Sequence, residues 1–272
     1  MCTIILLHQV VEAYPLVIAA NRDEAKERPW SGPSWHPPAL TGAPWILSGT
    51  DHEKGGTWMG ANDRGLFVGL TNQPPPTPGA LDRGRRSRGE VVHAALSHTG
   101  LDAVRAYLEG LDGRDYNGFN LAYGDGARLE VAYARPDVAA LRFEAVAPGL
   151  HVLPNGTLDL PMPKVARVYE RLEHVPPDAS WPVWRAALTA TLADRRRPEA
   201  SELEADSPWP LEIRRALQAL VVDLPEYGTS SATLAALSHD GLAHYAFAER
   251  PPDRGSFEPL PVRPPRREGV DL

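Results

Sequence analysis

MCTIILLHQVVEAYPLVIAANRDE, residues 1–24, decides the architecture. Residues 3–10 (TIILLHQV) and 15–20 (PLVIAA) are short runs rich in β-branched residues with a polar break between them. They are predicted as neighbouring strands joined by a turn, so the chain starts inside a sheet. Asn21-Arg22-Asp23-Glu24 follows the second run and is expected to emerge at that strand's end, beside the start of its antiparallel partner. The opening has no basic leading region and no convincing small-residue cleavage site, and His8, Gln9, Glu12 and Pro15 interrupt its apolar runs. It is not expected to act as a signal peptide.

Working outward, residues 24–50 carry Pro, Gly, Ser and Trp without periodicity and are predicted as a long loop. Strands resume at 57–59 and 66–70, around an Asn62-Asp63-Arg64-Gly65 turn whose glycine permits a positive φ. Segment 73–90 is rich in Pro, Gly and Arg and reads as a loop. Apolar spacing then predicts helices over 90–97 and 101–111, strands over 119–124, 129–134 and 141–145, and helices over 163–172, 181–192 and 211–220. A closing hairpin is predicted from 231–237 and 243–248 about His239-Asp240-Gly241. Strands at both ends with helices between them imply an α+β plan of sheets covered by helices, as one domain over 1–260 with a tail at 261–272.

The chain's 272 residues are 43% hydrophobic, enough for a sizeable core. A net charge of −7 with dispersed acidic residues argues against a nucleic-acid partner and for a small-molecule one. One cysteine excludes an internal disulfide and a cysteine zinc cluster, and a cytoplasmic, reducing location is expected. No stretch approaches a membrane span, and nucleotide, zinc-protease and covalent-haem motifs are absent. The histidines, including His8, His36, His93, His151 and His244, read as structural or surface residues. Trp30, Trp35, Trp45 and Trp58 could wall an apolar pocket or simply cover the core. Arg83, Arg85, Arg86 and Arg88 read as a solvated loop or, at a site mouth, as an anion trap.

Cys2 carries the sharpest chemistry. Its small side chain lets methionine aminopeptidase remove Met1, which puts a thiol and a free α-amine on one residue. The two groups titrate near 8.5 and about 7.7–8.0, so they can exchange a proton near neutral pH without a histidine. A guanidinium from Arg22 would favour the thiolate and a carboxylate from Asp23 would hold the amine. The alternatives are a buried cysteine acting as a small hydrophobe and a polar turn after a strand. Pro154-Asn155-Gly156 is a tight turn that could aim an amide at an oxyanion, or merely a turn asparagine.

These segments resemble the family named for its N-R-D-E motif, the transport and Golgi organisation protein 2 homologues. MCTI at 1–4, ANRDE at 20–24, GGTWMG at 55–60, GLFVGLTN at 65–72, YNGFNLAYGD at 116–125, LPNGTLD at 153–159 followed by PMPKV, and YGTSSAT at 227–233 keep the family's order. That family is similar to the N-terminal-nucleophile (Ntn) hydrolases, which include choloylglycine hydrolase and penicillin V acylase. The resemblance implies a four-layer αββα sandwich of two mainly antiparallel sheets. It implies hydrolysis or acyl transfer at a linear C–N amide, with Cys2 as nucleophile, Arg22 and Asp23 beside it, and Asn155 in the oxyanion hole. Asn21, Trp58, Asn72, Asn120 and Ser230 are the implied substrate contacts. The hydrolases space their arginine and aspartate three apart, whereas Arg22 and Asp23 are adjacent, and related sequences often carry arginine where Ser230 stands. No cofactor is required. The alternative implied by the resemblance is a non-catalytic carrier of haem or an acyl-coenzyme A or lipid-like ligand, with Cys2 as a haem ligand.

Overall fold

The computed structural model describes residues 2–75, 79–204 and 206–265. The chain opens with β1 (Thr3–Val11) and β2 (Tyr14–Ala25), an antiparallel hairpin in which Thr3 faces Asn21 and Leu7 faces Val17. Next come β3 (Trp30–His36), β4 (Ile46–Asp51), β5 (Met59–Asn62) and β6 (Phe67–Asn72), then α1 (Arg88–Leu96) and α2 (Leu101–Glu109). They lead into β7 (Phe119–Gly124), β8 (Leu129–Ala134), β9 (Arg142–Ala145) and β10 (Gly149–Leu153). The last part holds α3 (Pro163–Leu172), α4 (Trp181–Leu192) and α5 (Leu211–Leu217), then β11 (Tyr227–Ser238), β12 (Gly241–Ala248) and β13 (Glu258–Pro259).

Two antiparallel sheets result. One has the order β10-β1-β2-β11-β12-β13 and the other runs β3 to β9 in sequence order. Three clusters of buried side chains define the layers. Val165, Val168, Trp184 and Leu188 of α3 and α4 pack on Ile5, Leu7, Val17 and Ala19 of the first sheet. Val91, Val92, Leu96, Val104 and Leu108 of α1 and α2 pack on Val68, Leu70 and Leu121 of the second. Between the sheets, Ile4, Leu6, Ile18 and Ala20 meet Phe67, Ala122 and Val131. The protein is therefore an αββα sandwich. β1 is buried on both faces, odd residues toward helices and even residues toward the other sheet, which is why Ile4–Leu7 reads as an unbroken apolar run with no alternation.

Two sequence expectations are corrected and one further strand is added. The 24–50 segment is not a continuous loop, because β3 and β4 lie within it. β3 is an edge strand whose register shifts between Ser31 and Ser34, across Gly32-Pro33, and an edge tolerates a proline that a central strand would not. Asn21-Arg22-Asp23-Glu24 does not follow β2 but lies inside it, since β11 keeps pairing with β2 past the end of β1. β10, hidden in a short run after Gly149, pairs with β1 and extends the sheet on that side. The predicted helices over 163–172 and 181–192 form at those bounds, and the Asn62-Asp63-Arg64-Gly65 turn has Gly65 at φ 80°. Packing runs past the expected boundary at 260: Val262 lies against the intersheet core and Trp35 Nε1 donates to the Pro261 carbonyl. The rest of the expected tail, residues 266–272, and residues 76–78 of the 73–90 loop lie outside the described residues.

Candidate active site

The hairpin register builds the site. Thr3 faces Asn21 on β2 and Ile4 faces Leu153 on β10, so continuing both ladders sets Cys2 between Arg22 on one side and Asn155 on the other. β11 adds Ser231 opposite Arg22. The period of two sends Cys2 and Arg22 to the face occupied by Ile4, Leu6, Ile18 and Ala20, between the sheets. Asn21 and Asp23 fall on the opposite face, with Val17 and Ala19, under the helices. Adjacent positions on β2 thus lie on opposite faces of the sheet beside Cys2.

On the intersheet face, Arg22 is 5% exposed and lies over Trp58 at 4.4 Å and Trp30 at 5.7 Å. The indoles hold the guanidinium by cation–π attraction and shield it from water. Gly49 makes room for this arrangement, since an added Cβ there would stand 2.3 Å from Trp58 Cη2. Arg22 Nη1 donates to Ser230 Oγ at 3.0 Å, and Ser230 Oγ donates back to the Arg22 carbonyl at 3.2 Å. Ser230 is the extra residue where the β2–β11 register shifts between Thr229 and Ser231.

Asn155 is held by a buried polar network that reaches across from the second sheet. Its Nδ2 donates to the Asn72 carbonyl at 2.7 Å, while Thr71 Oγ1 donates to the Pro154 carbonyl at 2.7 Å. Asn120 Nδ2 donates to Thr71 Oγ1 at 2.9 Å and to the Gly156 carbonyl at 2.7 Å, and its Oδ1 accepts from Gln73 Nε2 at 2.7 Å. The turn's far end is tied down by Asp159, which sits at φ 53°, accepts from the Val152 N–H at 2.7 Å and faces His151 Nδ1 at 2.7 Å. The turn carrying Asn155 is fixed on both sides.

Electrostatics follow from burial. Cys2 is 7% exposed; burial pushes its thiol up, the Asp23 charge adds to this, and the Asp23 N–H and the Arg22 guanidinium oppose it. Asp23 is 1% exposed, and burial raises its carboxyl to about 6 against the pull of Lys164 and of a 2.6 Å hydrogen bond from Thr229 Oγ1. Glu24 lies 3.9 Å from Arg22 and 3.8 Å from Arg28, whose guanidinium is paired with Asp51 at 2.7 Å.

The structure brings Arg22 and Asp23 to Cys2, with Trp58 and Ser230 against Arg22, while Asn155 is bonded to the Asn72 carbonyl. Asn21 points away into the helix layer, where Nδ2 donates to the carbonyls of Leu192 and Leu220, and Asn120 is committed to the turn. Sequence reasoning passed over two neighbours. Thr229 binds Asp23. Lys164 on α3 is buried beside Thr3, and it was visible only as a lysine inside an otherwise apolar helix start. The arginine run divides: Arg85 donates to the carbonyls of Arg114, Tyr116 and Pro136, Arg86 lies over Tyr116, and Arg88 is half-buried within the fields of Cys2 and Glu24. Two surface hollows, of about 420 Å³ beside Phe247 and Glu249 and about 500 Å³ along Trp181 and Arg185, do not include the Cys2 row. Among the described residues, no cluster of three or more His, Cys, Asp or Glu could hold a metal ion, and no helix is long and apolar enough to cross a membrane.

Two antiparallel sheets between helix layers, with the first strand paired on both sides within its sheet, define the Ntn-hydrolase fold. Solved structures agree. Penicillin V acylase from Agrobacterium tumefaciens superposes with TM-score 0.53 and 12% identity, covering 92% of this chain and 83% of its own. Conjugated bile acid hydrolase from Clostridium perfringens gives 0.54 and 9%, covering 96% and 97%. The Caenorhabditis elegans N-acylethanolamine-hydrolyzing acid amidase ortholog gives 0.54 and 12%, covering 96% and 100%. At the level of sequence, residues 1–253 match the Transport and Golgi organisation 2 family. The transport and Golgi organization protein 2 homologs of Bos taurus and Homo sapiens are 32% and 31% identical over 257 and 269 residues, each alignment covering 88% of this chain and 87% of the relative. The chain belongs to the Transport and Golgi organisation 2 family.

Proposed function

We propose that this chain, once Met1 is removed, is a cysteine amidohydrolase or acyltransferase acting on a linear C–N amide with an apolar acyl group. The observation that supports the reading is the register of β1, Thr3 facing Asn21 on β2 and Ile4 facing Leu153 on β10, whose continuation points Arg22 and Asn155 to either side of Cys2. The α-amine of Cys2 takes the thiol proton, and the thiolate attacks the carbonyl carbon. The tetrahedral oxyanion is stabilised by Asn155 Nδ2 and a backbone N–H, and this requires Asn155 to turn from the Asn72 carbonyl it now meets. The ammonium returns the proton to the leaving amine as the C–N bond breaks, leaving a thioester on Cys2. Water hydrolyses the thioester, or an acceptor amine takes the acyl group. Arg22 favours the thiolate, Asp23 orients the amine, and Trp30, Trp58 and Phe247, which meet edge to face near Arg22, supply the apolar lining. The structural neighbours, an acylase, a conjugated bile acid hydrolase and an N-acylethanolamine-hydrolyzing acid amidase, support the reaction class.

Intact-mass measurement of the purified chain comes first, since retained Met1 leaves Cys2 without a free amine. A panel of N-acyl amides, with acyl-enzyme trapping followed by mass, is then compared for wild type and Cys2→Ala. Turnover and a Cys2-linked acyl adduct that both vanish in a folded Cys2→Ala chain are expected. Turnover surviving in Cys2→Ala overturns the mechanism, and a Cys2-dependent Soret band on haem titration with no turnover makes the chain a carrier instead.

A further inference from the structure

Lys164 has no task in the mechanism above, and its surroundings are poor ones for a lysine. It is the second residue of α3, is 1% exposed, and belongs to a helix that also buries Val165, Val168, Leu172 and Arg167. Burying an ammonium costs several kcal/mol unless charge returns it, and a methionine would fill the same space without that cost. Its Nζ reaches Thr3 Oγ1 at 3.4 Å, on the helix side of the first sheet. Thr3 faces Asn21 there, and Asp23 stands on the same face one step further along β2, beside the end of the chain that carries the Cys2 nitrogen. Lys164 therefore reaches the start of β1 on the helix face, within the field of Cys2, while Arg22 lies on the opposite, intersheet face.

We propose that Lys164 is a positioning residue that sets the protonation of the Cys2 amine–thiol pair, its ammonium keeping the freed α-amine neutral and the thiol easier to ionise. This rests on the N-terminal-nucleophile reading. A general base must be unprotonated near working pH, and a neighbouring cation disfavours a second positive charge on the amine while it favours the thiolate. Asp23 completes the arrangement, because its carboxylate offsets the ammonium and orients the amine. The mutual pull is visible in both groups: burial lowers the Lys164 ammonium against the attraction of Asp23 and Cys2, and the same lysine draws the Asp23 carboxyl down. The charged groups acting on Lys164 are Asp23 from β2 and Cys2 ahead of β1. Its own helix contributes Arg167, turned toward Asp194; β11 contributes the neutral Thr229; and on β10 His151 is engaged by Asp159.

The chain holds one cysteine, so its thiolate absorbance can be titrated directly, each variant being referenced to the same variant with Cys2→Ala. Processing is verified beforehand by reacting the denatured chain with 2-cyanobenzothiazole, which condenses only with a free N-terminal cysteine. The Cys2 titration midpoint is expected to rise by about one pH unit in Lys164→Met, a tenfold loss of thiolate near neutral pH, and to stay in place in Lys164→Arg. If Lys164→Met does not fold, Asp23→Asn is compared with Asp23→Asn/Lys164→Met, and the same upward step is expected. A midpoint unmoved by loss of the lysine overturns the proposal even if the melting temperature falls, because that combination is what a merely structural lysine gives. No 2-cyanobenzothiazole adduct overturns the nucleophile reading and this proposal with it, whereas an adduct with an unmoved midpoint overturns this proposal alone.

Discussion

Replacing Asp23 by asparagine separates the stability of the fold from the chemistry of the site. The side chain keeps its shape, and its Oδ1 can still accept the 2.6 Å hydrogen bond from Thr229 Oγ1. What changes is a buried charge. The Asp23 carboxyl is raised from 3.8 to about 6, so between those values the folded chain binds a proton that the unfolded chain has lost. Stability from this group is complete below about pH 4 and is lost as pH rises through about 6. Two pKa units correspond to about 3 kcal/mol, the expected gain of Asp23→Asn over wild type at about pH 7.5. Urea unfolding of both chains from about pH 4 to about pH 7.5 should show the gap opening toward neutrality and closing toward acid, while amide turnover of the variant falls at every pH. A variant less stable than wild type at neutral pH, or a gap that does not change with pH, refutes the account of Asp23 as a carboxylate held at an energetic cost for its function.

Two further outcomes follow from the packing around the site. Asn120→Ala leaves Thr71 Oγ1, the Gly156 carbonyl and Gln73 Nε2 each short of a partner, and chemical denaturation should show a loss of about 3 kcal/mol; turnover should drop through kcat more than KM, because Asn155 loses its support. Trp184→Ala empties the largest buried side chain of the helix layer over β1 and β2, where it is 1% exposed, and should cost about 3–5 kcal/mol in the same assay without altering the Cys2 titration.

Much of the fold was legible because its signals are local. Helices α3 and α4 announce themselves by apolar spacing and by Pro163 and Pro182 in their first turns, and the β5–β6 turn by Gly65. The strands within 24–50 were not, because an edge strand with a displaced register across Gly32-Pro33 lacks clean alternation. The Arg22–Trp58–Trp30 stack was illegible for another reason: it joins β2 of one sheet to the start of β5 in the other, and nothing in either segment specifies the approach.

Sequence alone determined the candidate nucleophile and its neighbours by type: one cysteine at position 2, an Arg-Asp pair after an apolar run, an asparagine in a Pro-Asn-Gly turn. Only the tertiary structure decided how they are arranged. β1 lies between β10 and β2, so Asn155 and Arg22 arrive on opposite sides of Cys2, and the pleat divides Arg22 from Asp23 between the two faces of the sheet. Lys164, 161 residues along the chain from Thr3, reaches the site from a helix packed on the outer face. Side-chain alternation and helical period are written within a few residues, whereas strand order, register and layer stacking are set by contacts between distant segments, and the charges around Cys2 belong to that second kind.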